Sequence, residues 1–328
     1  MTIRHIGLAV AIVAAATLAS GAAEAQRKLK FAHVYETNEP YHTNAVWAAG
    51  EIAKRTNNKY TMEVFPASSL GNEPTINQGL ALGTVDIIYT GAAFAGASHK
   101  PLAISNAPYM FKDFDHWLAY SKSPLLKDLM AGYDKATNHK ITSIVYYGAR
   151  HTTANKAINT PADMRGMKLR VPQAPLYLMY AKAVGANATP IAFAEVYLAL
   201  QQGTVDGQEN PLPTIQAKKF YEVQTHINLT SHIFESLLII VGSPLWKQLN
   251  AQEKAIFQEV FDIAAGRSTT DIRASEQVLP EEFRKLGKTV VTPNMSAFRT
   301  AAAPLHNDAA AGAGWTKAQY DALQALAK

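Results

Sequence analysis

The sequence predicts an α/β fold of two lobes that share one long helix. Three observations support this prediction. Strands alternate with helices along most of the chain, the tetrapeptide Gly-Thr-Val-Asp occurs twice after a helical run, and a further helical run is too long for one small lobe. Strands that alternate with helices are typical of parallel, doubly wound sheets. Two successive copies of this pattern indicate two such units.

The first unit ends at the first Gly-Thr-Val-Asp. Its predicted elements are strand 27–34, helix 41–55, strand 60–66, helix 72–82 and strand 84–90. Pro74 lies near the start of helix 72–82 and Gly83 follows its end. Proline is favoured in the first turn of a helix and glycine just beyond its last turn, so both residues support these bounds.

The second unit repeats the same order of elements. It comprises strand 141–148, a compact helix at 160–166, strand 167–172, helices 175–185 and 192–203, and strand 204–210. Thr160 is a natural N-cap, Pro161 fits the first helical position, and Gly166 suits the exit of the compact helix. The second Gly-Thr-Val-Asp, residues 203–206, starts the last strand.

A long helix follows strand 236–243. Asn250 and Glu253 form a capping-box pattern, and helical apolar spacing continues to about Leu279, where Pro280 is expected to bend or end the helix. Such a helix is roughly 40 Å long and would brace both lobes. We expect residues 26–148 and about 236–277 to form lobe I. Residues 149–235 and about 278–328 would form lobe II, with hinge strands and the long helix shared.

Composition excludes several classes of site. Apolar residues make up 48% of the chain and charged residues 17%, which is ordinary for a globular protein. The net charge of +5 comes from scattered basic residues, so nucleic-acid binding is not predicted, and anionic ligands are weakly favoured. The chain has no cysteine, which excludes disulfides, thiolate nucleophiles and zinc–thiolate sites.

The first 25 residues resemble a secretory signal peptide. Arg4 precedes an apolar run from Ile6 to Leu18, and the segment ends in Ala-Glu-Ala at residues 23–25. Cleavage near Ala25 and Gln26 would release the mature chain, and a bacterial periplasm is the simplest destination. The alternative, a membrane anchor, is disfavoured because the apolar run is short for a membrane span.

Motifs for catalysis, cofactors or metals are missing from the sequence. It has no Gly-x-Ser-x-Gly, no phosphate-binding loop, no Gly-x-Gly-x-x-Gly and no His-x-x-x-His. We therefore expect no enzyme, no cofactor and no metal. A catalytic carboxylate pair assembled from distant positions stays open, because such groups meet in space rather than in sequence.

Three polar residues follow predicted strands of the second unit. Arg150 comes just after the strand that ends at Gly148, Arg170 closes strand 167–172, and Asn210 closes strand 204–210. Ligands of α/β sheets bind beyond the carboxyl ends of strands, and a guanidinium group binds a carboxylate bidentately. Either arginine alone would be an ordinary surface residue, but three convergent positions make a carboxylate site equally plausible.

Three further residues can be explained by ordinary structural roles. Phe193 packs equally well in a core or against a ligand. Glu73, in the first turn of its helix, is explained by the helix dipole. His232 is read as an ordinary buried histidine with satisfied hydrogen bonds.

Three segments resemble the substrate-binding proteins of tripartite ATP-independent periplasmic (TRAP) transporters, the DctP-like family. They are GARHTTANKAINTPADMRGMKLRVP, FAEVYLALQQGTVDGQENP and QAKKFYEVQ, in that order between Gly148 and Gln224. The resemblance implies a two-lobed periplasmic clamshell with a long bracing helix. It also implies closure over one organic acid and delivery of that acid to small and large membrane subunits.

The resemblance assigns roles to individual residues. By this similarity Arg170 binds the ligand carboxylate, Arg150 is a second arginine on it, Asn210 fixes its orientation and Phe193 lines the cleft. Gln208 and Glu209 are expected to hold the hinge.

The segment from Gly148 to Gln224 is most similar to sialic-acid-binding members. Those members carry an acidic and a basic residue where this chain has Gly91 and Phe94, which argues against sialate. A sugar acid, hydroxy acid, keto acid or C4-dicarboxylate is favoured, and an aromatic acid stays open. Residues of the first lobe are expected to select among them: His33, Glu73, Tyr89 and Phe94.

Two other functions stay open at this point. A receptor that feeds a sensor kinase would use the same fold, and a periplasmic enzyme is the third interpretation. We expect a monomer whose partners are the carboxylate ligand and the two membrane subunits.

Overall fold

The computed structural model of the protein describes residues 26–328, so the expected signal peptide lies outside the described residues. The strands are β1 (Arg27–Ala32), β2 (Tyr60–Phe65), β3 (Ile87–Gly91), β4 (Lys140–Ala154), β5 (Lys168–Val171), β6 (Asn187–Pro190), β7 (Gly207–Pro211), β8 (His226–Val241) and β9 (Thr289–Val291). The α-helices are α1 (Pro40–Arg55), α2 (Glu73–Leu82), α3 (Ala92–Ala95), α4 (Phe114–Ser121), α5 (Pro124–Thr137), α6 (Leu178–Val184), α7 (Val196–Gln201), α8 (Leu212–Ala217), α9 (Ser243–Gln248), α10 (Ala251–Lys285), α11 (Met295–Ala302) and α12 (Lys317–Gln324).

All the strands of residues 26–328 join one sheet. Their order is β2-β1-β3-β8-β4-β7-β5-β6, and β9 pairs with β8. Strands β1, β2 and β3 are parallel to one another, as are β5, β6 and β7. Strand β8 runs antiparallel to β3 and β4, and β4 runs antiparallel to β7. The predicted parallel arrangement is therefore right within each half of the sheet and wrong for the two strands in the middle.

The two middle strands cross from one half of the sheet to the other. Strand β4 has 15 residues and β8 has 16, about twice the lengths predicted from sequence. Their pairing is interrupted at three β-bulges, and one of these lies between Tyr146 and Gly148. Gly148 has a φ of 122°, and a Cβ atom there would lie 2.7 Å from Cβ of Pro211. The predicted strand end at Gly148 is thus a bend in a continuing strand, since bulges bend the strand that contains them.

The repeated Gly-Thr-Val-Asp forms the same corner in each half. Each copy begins with a glycine in the left-handed region, with φ of 75° and 67°. The amide of Asp86 donates to the carbonyl of Lys30 at 3.1 Å, and the Asp86 carboxylate accepts from the Lys30 amide at 2.9 Å. Asp206 and Lys168 make the same two bonds at 2.8 Å each. The tetrapeptide therefore ties a helix exit to the neighbouring strand, and β3 and β7 begin about three residues later than predicted.

The long helix α10 contacts elements of both halves. It has 35 residues, and its predicted capping box of Asn250 and Glu253 is present. It packs against α1 and β4 and also against α8 and β9. The helix continues through Pro280 to Lys285 instead of ending at the proline. Phe283, fully buried in the last turn, gives that turn a packing contact that helps the helix tolerate the proline.

The C-terminal segment divides between the halves. Helix α11 packs against α6, whereas α12 packs against α5. Helix α12 also bonds α4 and the segment before it: Nε2 of His116 lies 2.8 Å from the Leu323 carbonyl oxygen, and Gln324 donates to the Met110 carbonyl at 2.9 Å. Helix α12 thus contacts elements that precede Gly148, and the expected bounds of the two lobes stay a prediction. No helix within residues 26–328 is long and apolar enough to cross a membrane.

Candidate functional site

A small cavity lies where residues before Gly148 meet residues after it, near the carboxyl ends of β1, β5 and β7. Its volume is about 20 Å³, roughly the space of one water molecule. Twelve residues line it: Val34, Tyr35, Glu73, Phe94, Tyr147, Arg150, Arg170, Pro172, Tyr177, Phe193, Asn210 and Glu235. A larger groove of about 440 Å³, lined by Arg165 and Asp206 among others, lies at the amino-terminal ends of β5 and β7 and is open to solvent. Buried charged groups converge only on the small cavity among the cavities described here.

Arg170 is a buried cation without an anionic partner in the part of the chain that the structure describes. Its side chain is 2% exposed, and its Nε and Nη2 donate to the carbonyl oxygen of Ile191 at 3.0 and 2.7 Å. Within residues 26–328 no carboxylate forms an ion pair with it. Burial lowers the pKa of Arg170 to about 10, because its charge is poorly solvated there. Two of its five N–H donors are used, which leaves three for another acceptor.

Arg150, by contrast, is already neutralised. Its Nη2 donates to Oε1 and to the carbonyl oxygen of Glu209 at 2.7 and 2.6 Å, and its Nε donates to the same carboxylate. Its Nη1 donates to Glu235, and all three side chains are buried. The expectation that Arg150 follows the end of a strand is wrong, because β4 continues to Ala154. Arg150 lines the cavity, and its contact with a ligand carboxylate stays a prediction.

Glu209 also bonds a buried histidine. Nε2 of His232 lies 2.9 Å from Oε2 of Glu209, and Nδ1 of His232 lies 2.9 Å from Oγ1 of Thr230. Burial alone would raise the pKa of Glu209, but the charge of Arg150 and the hydrogen bonds from His232 and Arg150 outweigh it and lower the pKa to about 2. His232 thus has partners for both ring nitrogens, as expected from the sequence.

Asn210 is held by two neighbours at the carboxyl end of β7. Its Nδ2 donates to Oε1 of Gln208 at 2.6 Å, and its Oδ1 accepts from the Tyr147 hydroxyl at 3.4 Å. Gln208 in turn donates to Oγ1 of Thr153 on β4 at 3.1 Å. These bonds fix the amide of Asn210 against the cavity wall. The hinge role of Gln208 and Glu209 stays a prediction, although both bind residues of the crossing strands.

Two phenylalanine rings form apolar parts of the wall. Phe193 begins a short 3-10 turn before α7, and its ring centroid lies 6.4 Å from that of Tyr35. Phe94 belongs to α3, and its centroid lies 6.0 Å from that of Tyr177. Both rings line the cavity, and their contact with a ligand stays a prediction.

Glu73 contributes a carboxyl group without a hydrogen-bond partner among residues 26–328. It is the first residue of α2 and is partly buried at the cavity wall. Burial and then the negative charge of Glu235 raise the pKa of Glu73 to about 8, against the opposite effect of Arg170 and Arg150. The group therefore faces the cavity mainly in its protonated form at neutral pH, which the helix dipole alone would not explain.

His33 and Tyr89 do not reach the cavity. Nε2 of His33 lies 3.2 Å from Nδ1 of His42, and its Nδ1 accepts from the Tyr35 amide at 3.2 Å. Burial, with His42, lowers the pKa of His33 to about 3. Tyr89 is fully buried, with its ring centroid 5.1 Å from that of Phe31. Both residues lie behind the wall and do not line the cavity in this structure.

Six wall residues were not predicted: Val34, Tyr35, Tyr147, Pro172, Tyr177 and Glu235. Val34 and Tyr35 follow β1, so the rule that ligands lie beyond the carboxyl ends of strands would have found them. The same rule would not have found Glu235, because this residue lies inside β8 and not at its end. Its carboxylate accepts from the Tyr177 hydroxyl and from Nδ2 of Asn106, the latter at 2.8 Å. No group of His, Asp and Glu in the described residues is arranged to hold a metal ion.

A family model now matches this architecture. The model of DctP, described as bacterial extracellular solute-binding protein, family 7, matches residues 31–312. The chain belongs to this family. Its solved relatives are solute-binding proteins of TRAP transporters, and the two-lobed α/β fold predicted from sequence is confirmed by them.

Individual members are similar over nearly the whole chain. The sialic acid-binding periplasmic protein SiaP of Vibrio cholerae is 33% identical over 307 residues, which is 94% of each chain. A TRAP solute-binding protein of Polaromonas, bound to D-erythronate, is 30% identical with a TM-score of 0.86, over 91% of this chain and 98% of that one. A further one from Bordetella bronchiseptica, with density assigned to pantoate, is 28% identical with a TM-score of 0.87, over 92% and 100%. The DctP-like resemblance seen in the sequence is therefore confirmed.

Proposed function

We propose that this DctP-family protein captures a small organic acid in the periplasm and delivers it to the small and large membrane subunits of a TRAP transporter. The observation that carries the proposal is Arg170, a buried cation that lacks an anionic partner among residues 26–328. A buried charge without a counter-ion is unfavourable, and an anionic ligand would remove that penalty.

The geometry of Arg170 suits a carboxylate. The Ile191 carbonyl takes Nε and one N–H of Nη2, so the second N–H of Nη2 and both of Nη1 remain. Donors on two adjacent nitrogens match the two oxygens of a carboxylate bidentately. Asn210, fixed by Gln208 and Tyr147, adds a polar group to the same wall.

The site supports binding rather than catalysis. Glu209 and Glu235 each accept hydrogen bonds from Arg150, which leaves Glu73 as the carboxyl group of the wall without a partner among the described residues. A single carboxyl group beside an arginine does not make an acid–base pair. We infer that the protein acts as a monomeric periplasmic receptor that releases its ligand unchanged.

A thermal-shift and calorimetry screen of residues 26–328 against organic acids tests the proposal. A ligand at about a hundredfold excess over its Kd stabilises the native state by about 2.7 kcal/mol. We expect at least one acid to raise the Tm of the wild type and of Arg284→Ala, a control at an exposed arginine of α10. The same acid should leave the Tm of Arg170→Ala unchanged. A shift that persists in Arg170→Ala, or no shift with any acid, would refute the carboxylate site.

Delivery needs a separate measurement. We expect the acid found in the screen to enter proteoliposomes that contain the small and large TRAP subunits of the same genome only when this protein is added. Uptake that does not depend on the protein would favour the sensor-kinase receptor, which uses the same fold without transport.

A further inference from the structure

The cavity wall also restricts which acids fit. We infer that the ligand is a compact monocarboxylate with a hydroxyl or oxo group close to its carboxylate and an apolar body, and that the site discriminates against dicarboxylates and polyol acids. This inference rests on the proposed function and narrows its ligand class.

The charged residues of the wall can neutralise only one ligand carboxylate. Its cations are Arg150 and Arg170, and Arg150 is bonded to two glutamates. A second ligand carboxylate would find no free cation among the wall residues and would meet Glu73 or Glu235 instead. A buried carboxylate without a cation is unfavourable, and Glu235 would be a neighbouring like charge, so a dicarboxylate would bind weakly.

Four of the twelve wall residues are apolar. Val34, Phe94, Pro172 and Phe193 present carbon atoms to the cavity, and the rings of Phe94 and Phe193 come from the two opposite halves of the protein. Buried hydroxyl groups without partners are unfavourable, so a polyol tail against these residues would lose the hydrogen bonds that it makes in water.

Position 91 offers no further polar group. A Cβ atom on Gly91 would lie 3.3 Å from the Tyr177 hydroxyl, 3.4 Å from Oε1 of Glu235 and 3.5 Å from Cδ2 of Phe94. Any side chain at this position would therefore approach the wall, but glycine contributes no donor or acceptor there. The two polar groups nearest this position, the Tyr177 hydroxyl and the Glu235 carboxylate, already bond each other, so they are not free to bind a row of ligand hydroxyl groups.

Two polar groups of the wall remain without partners among residues 26–328. They are the carboxyl group of Glu73 and the hydroxyl group of Tyr35, a residue only 2% exposed. Glu73 is close enough to Arg170 for each group to affect the pKa of the other. A ligand held by Arg170 can therefore place one hydroxyl or oxo group near Glu73 or Tyr35, while the rest of its body contacts Phe94 and Phe193.

Four probes that share a 2-substituted carboxylate test the inference by isothermal calorimetry at pH 7. They are 2-hydroxy-3-methylbutanoate, malate, erythronate and valine, which differ in the body or in the 2-substituent. We expect 2-hydroxy-3-methylbutanoate to bind with a Kd at least about tenfold lower than each of the others. Tighter binding of malate or erythronate would overturn the inference, and tighter binding of valine would show that Glu73 receives an ammonium group.

The outcome separates this inference from the proposed function. If another acid binds and depends on Arg170 while 2-hydroxy-3-methylbutanoate does not bind, the ligand class is wrong and the carboxylate receptor stands. If no acid binds, the proposed function itself fails.

A pair of variants tests the apolar wall directly. Phe94→Asn should lower the ratio of the Kd for erythronate to the Kd for 2-hydroxy-3-methylbutanoate at least about threefold. Phe94→Leu should preserve this ratio, since leucine keeps the apolar surface. An unchanged ratio in Phe94→Asn would contradict the role of the ring. Should Phe94→Asn not fold, the ranking of the four probes on the wild type still decides the inference.

Discussion

Arg170 donates two hydrogen bonds to one carbonyl oxygen, that of Ile191, at 3.0 and 2.7 Å. The bonds hold the guanidinium group in place but do not neutralise it. Its orientation is therefore set before a ligand arrives, and its charge stays available to an anion. Arg150, although equally buried, is neutralised by Glu209 and Glu235.

Replacing the two arginines should affect stability differently. Arg170→Met should change the free energy of unfolding without ligand by less than about 2 kcal/mol, because the lost hydrogen bonds are offset by removal of a buried unpaired charge. Arg150→Met should destabilise by about 3–5 kcal/mol, because two carboxylates lose their cation. Urea unfolding of both variants measures this difference. Equal destabilisation would mean that Arg170 is also a structural ion.

Glu209 should contribute stability that depends on acid pH. Glu209→Gln should destabilise the protein by about 3–5 kcal/mol near pH 7, because Arg150 would keep only Glu235 as its anionic partner. Since folding lowers the pKa of Glu209 from 4.5 to about 2, its contribution is complete above about pH 4.5 and is lost as the pH falls towards 2. The matched control is Glu281→Gln, which removes an exposed carboxylate 3.3 Å from Arg284 and should change stability by less than about 1 kcal/mol. Comparable losses in the two variants would contradict the buried network.

Glu73 should have the opposite pH dependence. Folding raises its pKa from 4.5 to about 8, so the folded state binds the proton more tightly and stability falls as the pH rises between these values. The titration depends on the groups that face Glu73, namely Glu235, Arg170, Arg150, Tyr35 and Tyr177. Glu73→Gln removes this titration, and we expect its Tm relative to the wild type to increase between about pH 5 and pH 8. A difference that is constant with pH would show that Glu73 is ionised throughout.

Contacts across the cleft should favour the closed arrangement. Lys218 lies 2.7 Å from Glu36, and the hydroxyl of Thr214 donates to Glu39 at 2.6 Å, so α8 is bonded to the segment after β1. Lys218→Met should shift the population towards an open form and weaken ligand binding several-fold, although Lys218 does not line the cavity. Small-angle X-ray scattering should show a larger radius of gyration without ligand. Lys219→Met, at an adjacent exposed lysine, should leave both quantities unchanged.

The sequence predicted the features that depend on local chemistry. The corners at the two Gly-Thr-Val-Asp segments, the capping box of α10 and the position of Arg170 at a strand end all follow from neighbouring residues. The clamshell also followed, because its two repeated units and its long helix are visible as patterns.

Features set by distant contacts were missed or misplaced. The length of β8 was underestimated because its first half, around His232, is polar yet buried by hydrogen bonds from other strands. Glu235 and Tyr177 face the cavity only because β8 and the segment before α6 meet in space. His33 and Tyr89 were expected at the cleft, but both lie in the core behind it: Tyr89 because side chains alternate along β3, and His33 at the residue that follows β1.

The position of β8 between β3 and β4 has a consequence for the order of folding. Strands β1, β2 and β3 are joined to β4 only through β8. Strand β8 ends at Val241, which is 150 residues after Gly91, the end of β3. Folding in the proposed periplasmic location follows export, so β3 can pair with β8 only after that segment has also crossed the membrane. Until then β3 has an unpaired edge, and the amino-terminal strands form an incomplete sheet that is prone to aggregate. The protein must therefore acquire its first lobe late, after nearly all of the second has been made.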